Sequence, residues 1–98
     1  MNRVVHVNRE KFDVYMGREW AGHKRSPWHN PFHIKQGVRG TAILDFAVYF
    51  YAPEQKWLRD KAVTEIPEDA VLGCWCHPLD CHVDIVAGYL EWKRRGCN

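Results

Sequence analysis

The stretch AVLGCWCHPLDCHVD, residues 70–84, decides how the chain is read, because its three cysteines and two histidines suit three structures. It is a metal knuckle, a reactive-thiol site, or the end of a buried strand running into a helix. Zinc takes four ligands converging tetrahedrally at ~2.0–2.3 Å, usually from Cys-x2-Cys turns or spaced histidines. Cys74-x-Cys76 is tighter than that. In a strand the two side chains share one face with α-carbons ~6.6 Å apart. Cys81 and His82 are adjacent and on a helix diverge by about 100°. The spacing therefore favours no metal and no cofactor; were zinc bound, Cys74, Cys76, Cys81 and His77 would be its ligands.

What remains is a strand, a turn and a helix. Ala70, Val71, Leu72, Gly73, Cys74 and Trp75 form a continuous apolar run after the turn residues Pro67, Glu68 and Asp69, as expected of a central strand covered on both faces. Pro78, Leu79 and Asp80 turn the chain, and a helix follows from Asp80 or Cys81 to about Arg95. Val83, Val86, Ala87 and Leu90 make one apolar stripe, Ile85, Tyr89 and Trp92 another, and the basic end with Gly96 suits a helix C-terminus. Cys81 then sits where unpaired backbone N–H groups and the helix dipole favour a thiolate or another anion. Asp84, three residues on, can close a capping box. Cysteine also serves as a small buried hydrophobe, so the same residues fit a core role.

Upstream, Val4 to Val7 is β-branched, and Phe12 to Gly17 alternates apolar and polar. Both read as strands, paired as a hairpin or lying as neighbours in a larger sheet, with residues 8–11 as the turn between them. Thr41 is the expected N-cap of a helix over residues 42–51. That run is apolar nearly all round, so the helix should be largely buried. Pro53 opens a second helical piece through Trp57, Leu58 and Lys61. The fold class is α/β: a single small domain, 1–98, with a short, mostly parallel sheet packed by two or three helices.

Residues 18–40 hold prolines, glycines and aromatics without periodicity, a long loop of the kind that carries function. Within it, Trp28 is either a core plug or a surface on which a base stacks, and Asn30 can read an amide-like edge. Arg18 and Arg39, the latter in a glycine-flanked helix start, make a generic phosphate site.

With 98 residues, 46% hydrophobic and 27% charged, the composition is globular. No apolar run approaches the ~18 residues of a membrane span, and the first residues lack signal-peptide order. A cytoplasmic location follows, where the four cysteines are thiols or metal ligands rather than a disulfide framework. The net charge of +2 is too small to argue for nucleic acid from the total.

Val14 to Arg18, then Ser26-Pro27-Trp28-His29-Asn30-Pro31-Phe32, then Gly37 with Arg39, and finally Leu72 to Asp84 resemble the domain-of-unknown-function family numbered 4326, from bacteriophages and bacteria. The resemblance spans most of the chain and implies a phage or bacterial cytoplasmic origin, with no activity to carry over. His29 stands where a glycine is usual, which would narrow a pocket beside Trp28.

The expected site lies where the loop meets the strand-to-helix junction. Its ligand is anionic, a nucleotide or nucleic-acid component, held by Arg18, Ser26, Trp28, Asn30, Arg39 and Cys76. If the site does chemistry, Cys81 or Cys76 is the nucleophile, His82 the proton carrier and Asp84 its orienter. The rival readings are a phage accessory protein that binds a host protein and a structural zinc domain. No membrane partner is expected.

Overall fold

The computed structural model describes residues 2–20, 22–32 and 39–96, with Arg39 and Gly40 described by their backbone only. Three strands, β1 (Val4–His6), β2 (Val14–Tyr15) and β3 (Leu72–Cys74), form one sheet in the order β1-β3-β2. Both outer strands run parallel to β3, with Val4 opposite Leu72 on one side and Val14 opposite Leu72 on the other. The first two strands are thus neither a hairpin nor neighbours, because the apolar third strand inserts between them. All three residues of β3 are buried, as its sequence requires.

Three α-helices complete the fold, α1 (Arg39–Tyr51), α2 (Lys56–Glu65) and α3 (His82–Arg94), packed on one another with α3 against β1. A short 3-10 turn, Pro53–Gln55, joins the first two, with the proline at its start, where its missing N–H costs nothing. Helix α1 begins two residues before Thr41, so Thr41 lies in its first turn and is not its cap. Nor is α1 buried all round. Ala42, Phe46 and Phe50 enter the core at helical spacing, while Leu44, Val48 and Tyr51 are 62%, 68% and 51% exposed. Strands of two or three residues offer too little surface to cover a second helix face.

The core gathers Phe46 and Phe50, stacked with ring centroids 5.5 Å apart, with Met16, Leu58, Ile66, Leu72, Val83, Val86 and Leu90. Trp28 joins them: it is buried and donates its indole N–H to the Leu58 carbonyl at 3.1 Å. No helix of the described residues is long and apolar enough to cross a membrane.

Candidate functional site

Strands β2 and β3 both end toward the same edge of the sheet, and their carboxyl ends open into a cleft of about 260 Å³. Gly17 and Arg18 enter from the end of β2; Cys74, Trp75 and Cys76 leave β3; Cys81 and His82 begin α3; Asn30 and Phe32 close it from the loop. Glycine is needed at position 17 because a β-carbon there would lie 2.5 Å from the Tyr15 hydroxyl oxygen. That hydroxyl in turn accepts a hydrogen bond from the Trp75 indole N–H at 2.7 Å, fixing one wall of the cleft.

The loop wall is built by the side chains of Arg18 and Asn30 on the backbone around them. Arg18 donates through Nε to the Asn30 carbonyl and through Nη2 to the Phe32 carbonyl, both at 2.9 Å. Asn30 Oδ1 accepts the Phe32 N–H at 2.9 Å, and its Nδ2 reaches the Ala42 carbonyl of α1 at 3.4 Å. Both predicted ligand residues therefore also hold the wall in place. Ser26 is buried, with Oγ accepting the Trp28 N–H at 3.1 Å. Neither Ser26 nor Trp28 lines the cleft. Trp28 is the core plug, and no base can stack on it. The Arg39 side chain and residues 33–38 lie outside the described residues.

The thiols converge more closely than their spacing suggests. The turn after Cys76, closed by the Leu79 N–H on the Cys76 carbonyl at 2.8 Å, brings Cys81 back against β3. Cys74, Cys76 and Cys81 then line one cleft. Cys74 Sγ accepts the His77 N–H at 3.3 Å. The neighbouring Cys81 thiol and the backbone amides of His77 and Cys76 pull the Cys74 thiol down to about 7 despite burial. Cys81 moves the other way, pushed well above the ordinary thiol range by the neighbouring Cys74 and Cys76 sulfurs and by burial. The thiol of the junction that ionises more readily is therefore Cys74, and not Cys81 at the helix start.

His82 places Nε2 3.0 Å from the Met16 carbonyl oxygen and Nδ1 3.5 Å from Cys81 Sγ. A carbonyl only accepts, so Nε2 carries the proton and Nδ1 faces the thiol with its lone pair. Burial holds His82 down to about 4, too weak a base to carry protons near neutrality. Asp84 does not orient it. The Asp84 carboxylate accepts the Cys81 N–H at 3.0 Å, closing the expected capping box, and the residue borders a different hollow with His77, Arg3 and Val4. Among the described residues no group of three or more His, Cys, Asp or Glu side chains is arranged to hold a metal ion.

The cleft thus brings together Arg18, Asn30, Cys76, Cys81 and His82 of the predicted residues. It adds Gly17, Phe32, Cys74 and Trp75, whose only sequence signal is their position beside strand ends and prolines. The family model for a domain of unknown function, DUF4326, matches residues 2–92. No curated protein and no solved structure matches the chain.

Proposed function

The chain belongs to the DUF4326 family, a domain of unknown function, and we propose that it binds a small anionic ligand of the nucleotide class in the cleft at the carboxyl ends of β2 and β3. The observation that carries this reading is the meeting of four separate chain segments around one cleft. Open α/β sheets bind their ligands at this edge, beyond the carboxyl ends of the strands.

Size and chemistry narrow the class. About 260 Å³ lies just under the ~300 Å³ at which small-molecule pockets begin, which suits a nucleoside or mononucleotide and not a folded nucleic acid. Trp75 and Phe32 offer apolar walls for a flat ring. The Arg18 guanidinium and the positive end of the α3 dipole favour a phosphate. The free thiols of Cys74, Cys76 and Cys81 fit a reducing bacterial or phage-infected cytoplasm.

The experiment is a thermal-shift and calorimetric titration with the four ribonucleoside monophosphates, their nucleosides and inorganic phosphate. At a ligand concentration 100-fold over Kd the native state gains about 2.7 kcal/mol, and about 1 kcal/mol moves the melting temperature of a domain this size by ~4–8 °C. A nucleotide should therefore raise it by about 10 °C or more, and Trp75→Ala should weaken that binding. Flat responses to every compound would overturn the reading in favour of a protein-binding role.

A further inference from the structure

We infer that the ligand of the cleft is a dinucleotide, two nucleosides joined through phosphate, whose second ring lies in an adjoining hollow against Trp20 while the linkage passes Arg18. The inference rests on the nucleotide reading of the cleft and extends it by naming the far half of the ligand.

A second hollow of about 280 Å³ is lined by Tyr15, Arg18, Glu19, Trp20 and Trp75. It matches the cleft of about 260 Å³ in size, and the two share Arg18 and Trp75 as a common wall. If the first has room for one nucleoside, so has the second. Arg18 is the one arginine or lysine among the described residues that line either hollow, and it borders both. A ligand that fills the pair therefore crosses a cation midway, where a linking phosphate belongs.

The common wall is fixed in place. Trp75 donates its indole N–H to the Tyr15 hydroxyl at 2.7 Å, that hydroxyl donates to the Arg18 carbonyl, and the Arg18 side chain donates to the Asn30 and Phe32 carbonyls at 2.9 Å. Carbonyl oxygens carry no formal charge, so these bonds position the guanidinium and do not cancel its positive charge.

The outer hollow presents rings for stacking. Tyr15 is already stacked with His23 at 4.5 Å, whereas Trp20 is 66% exposed. The Trp20 backbone is held by a reciprocal pair of hydrogen bonds with His23, at 3.1 and 2.9 Å, so a fixed strand carries the exposed indole beside the hollow. An aromatic face of this kind takes any base, because every base has a π-face. Glu19, exposed at the same hollow, accepts hydrogen bonds from ribose hydroxyls and repels a further phosphate. The outer end thus suits a nucleoside with no phosphate beyond it, which ends the ligand at two units.

The test is calorimetric titration of the full chain. For each of the four bases the probes are the ribonucleoside monophosphate, the dinucleotide joined by one phosphodiester and the dinucleotide joined by a pyrophosphate. One dinucleotide should bind about fivefold to 150-fold more tightly than its monophosphate, and which linkage does so shows whether one phosphate or two spans Arg18. Trp20 does not line the inner cleft. Trp20→Ala and Trp20→Gln, each checked for native circular dichroism, should bring that ratio to about one, and Trp20→Phe should restore most of it. A homopolymer strand of the preferred base should bind no more tightly than the dinucleotide. Dinucleotides no tighter than monophosphates, or a gain that survives in both folded Trp20 variants, overturn the inference while monophosphate binding upholds the nucleotide reading. A strand that binds about tenfold or more tightly than the dinucleotide overturns it in favour of single-stranded nucleic acid. No binding by any probe overturns both.

Discussion

At position 82 the fold sets burial against the charge that a histidine gains below its ordinary titration point. The ring is packed edge-on against Phe46 at 4.9 Å and donates to the Met16 carbonyl, and its burial disfavours the cation. Its folded value near 4 stands below the ordinary 6.5. Above pH 6.5 both folded and unfolded chains hold the ring neutral, and its contribution to stability is complete. Between 6.5 and 4 the unfolded chain binds a proton that the folded chain refuses, so stability falls as pH falls through that window. The full loss is about 3 kcal/mol. Urea midpoints measured from pH 7.5 down to 4 should show that His82→Gln, which keeps a donor for Met16, loses this part of the slope; equal slopes in the two proteins would refute it. A second residue is decided by space alone. A β-carbon on Gly73 would stand 2.6 Å from Phe12 Cγ, whose ring packs against His23 at 5.6 Å. Gly73→Ala should cost about 1–3 kcal/mol in urea unfolding, and Phe12→Leu in the same chain should restore part of it. No relief in the double variant would mean that the strand backbone, not the ring, resists the change.

Helix α3 was the most legible element because its signals are local. A turn ends it on one side, Asp84 stands at capping distance, and Lys93 and Arg94 occupy the last turn. Its cap is therefore testable as an element property. Asp84→Ala removes the acceptor of the Cys81 N–H and should lower stability by about 0.5–2 kcal/mol, with Asp84→Asn recovering part of the loss. Ligand titrations should be unaffected by either change, since Asp84 borders another hollow; a matching loss of affinity would show that the cap also tunes the cleft. Helix α1 was less legible. Its sequence is apolar on every side, so periodicity could not say which face meets the sheet, and burial of Ala42, Phe46 and Phe50 is settled only by packing. The cysteine cluster was half legible for a related reason. Strand alternation predicts Cys74 and Cys76 on one face, but β3 ends at Cys74, and the return of Cys81 depends on the path of a four-residue turn, which spacing rules treat as straight chain.

At the scale of the whole molecule, the sheet order and the closure of the fold come from contacts with no local signature. Asn2 donates to the carbonyls of Pro67 and Ala70 at 2.9 and 2.8 Å, fixing the start of β1 against the entry to β3. Arg94, at the far end of α3, donates to Asn2 Oδ1 at 3.0 Å, to the Val63 carbonyl at 3.5 Å, and to the Ile66 carbonyl at the end of α2. One guanidinium thus joins both ends of the chain to the middle helix, across separations of 92, 31 and 28 residues. Nothing in the neighbours of Arg94 in sequence announces this; the basic run 93–95 reads equally well as a helix end facing water. Arg94→Met keeps much of the apolar stem and removes the donors, leaving Ile66 and Asn2 with unmet acceptors. Hydrogen bonds to a charged group contribute about 1.5–3 kcal/mol, so the variant should lose about that much in urea unfolding with an unchanged denaturant slope. Arg94→Lys should recover less than half, because an ammonium lacks the planar fork that spans three acceptors. A cycle with Asn2→Ala separates closure from mere helix capping. If Arg94 ties the termini together, the two changes should be non-additive by about 0.5 kcal/mol or more, whereas additive losses would place its effect within α3 and α2 alone.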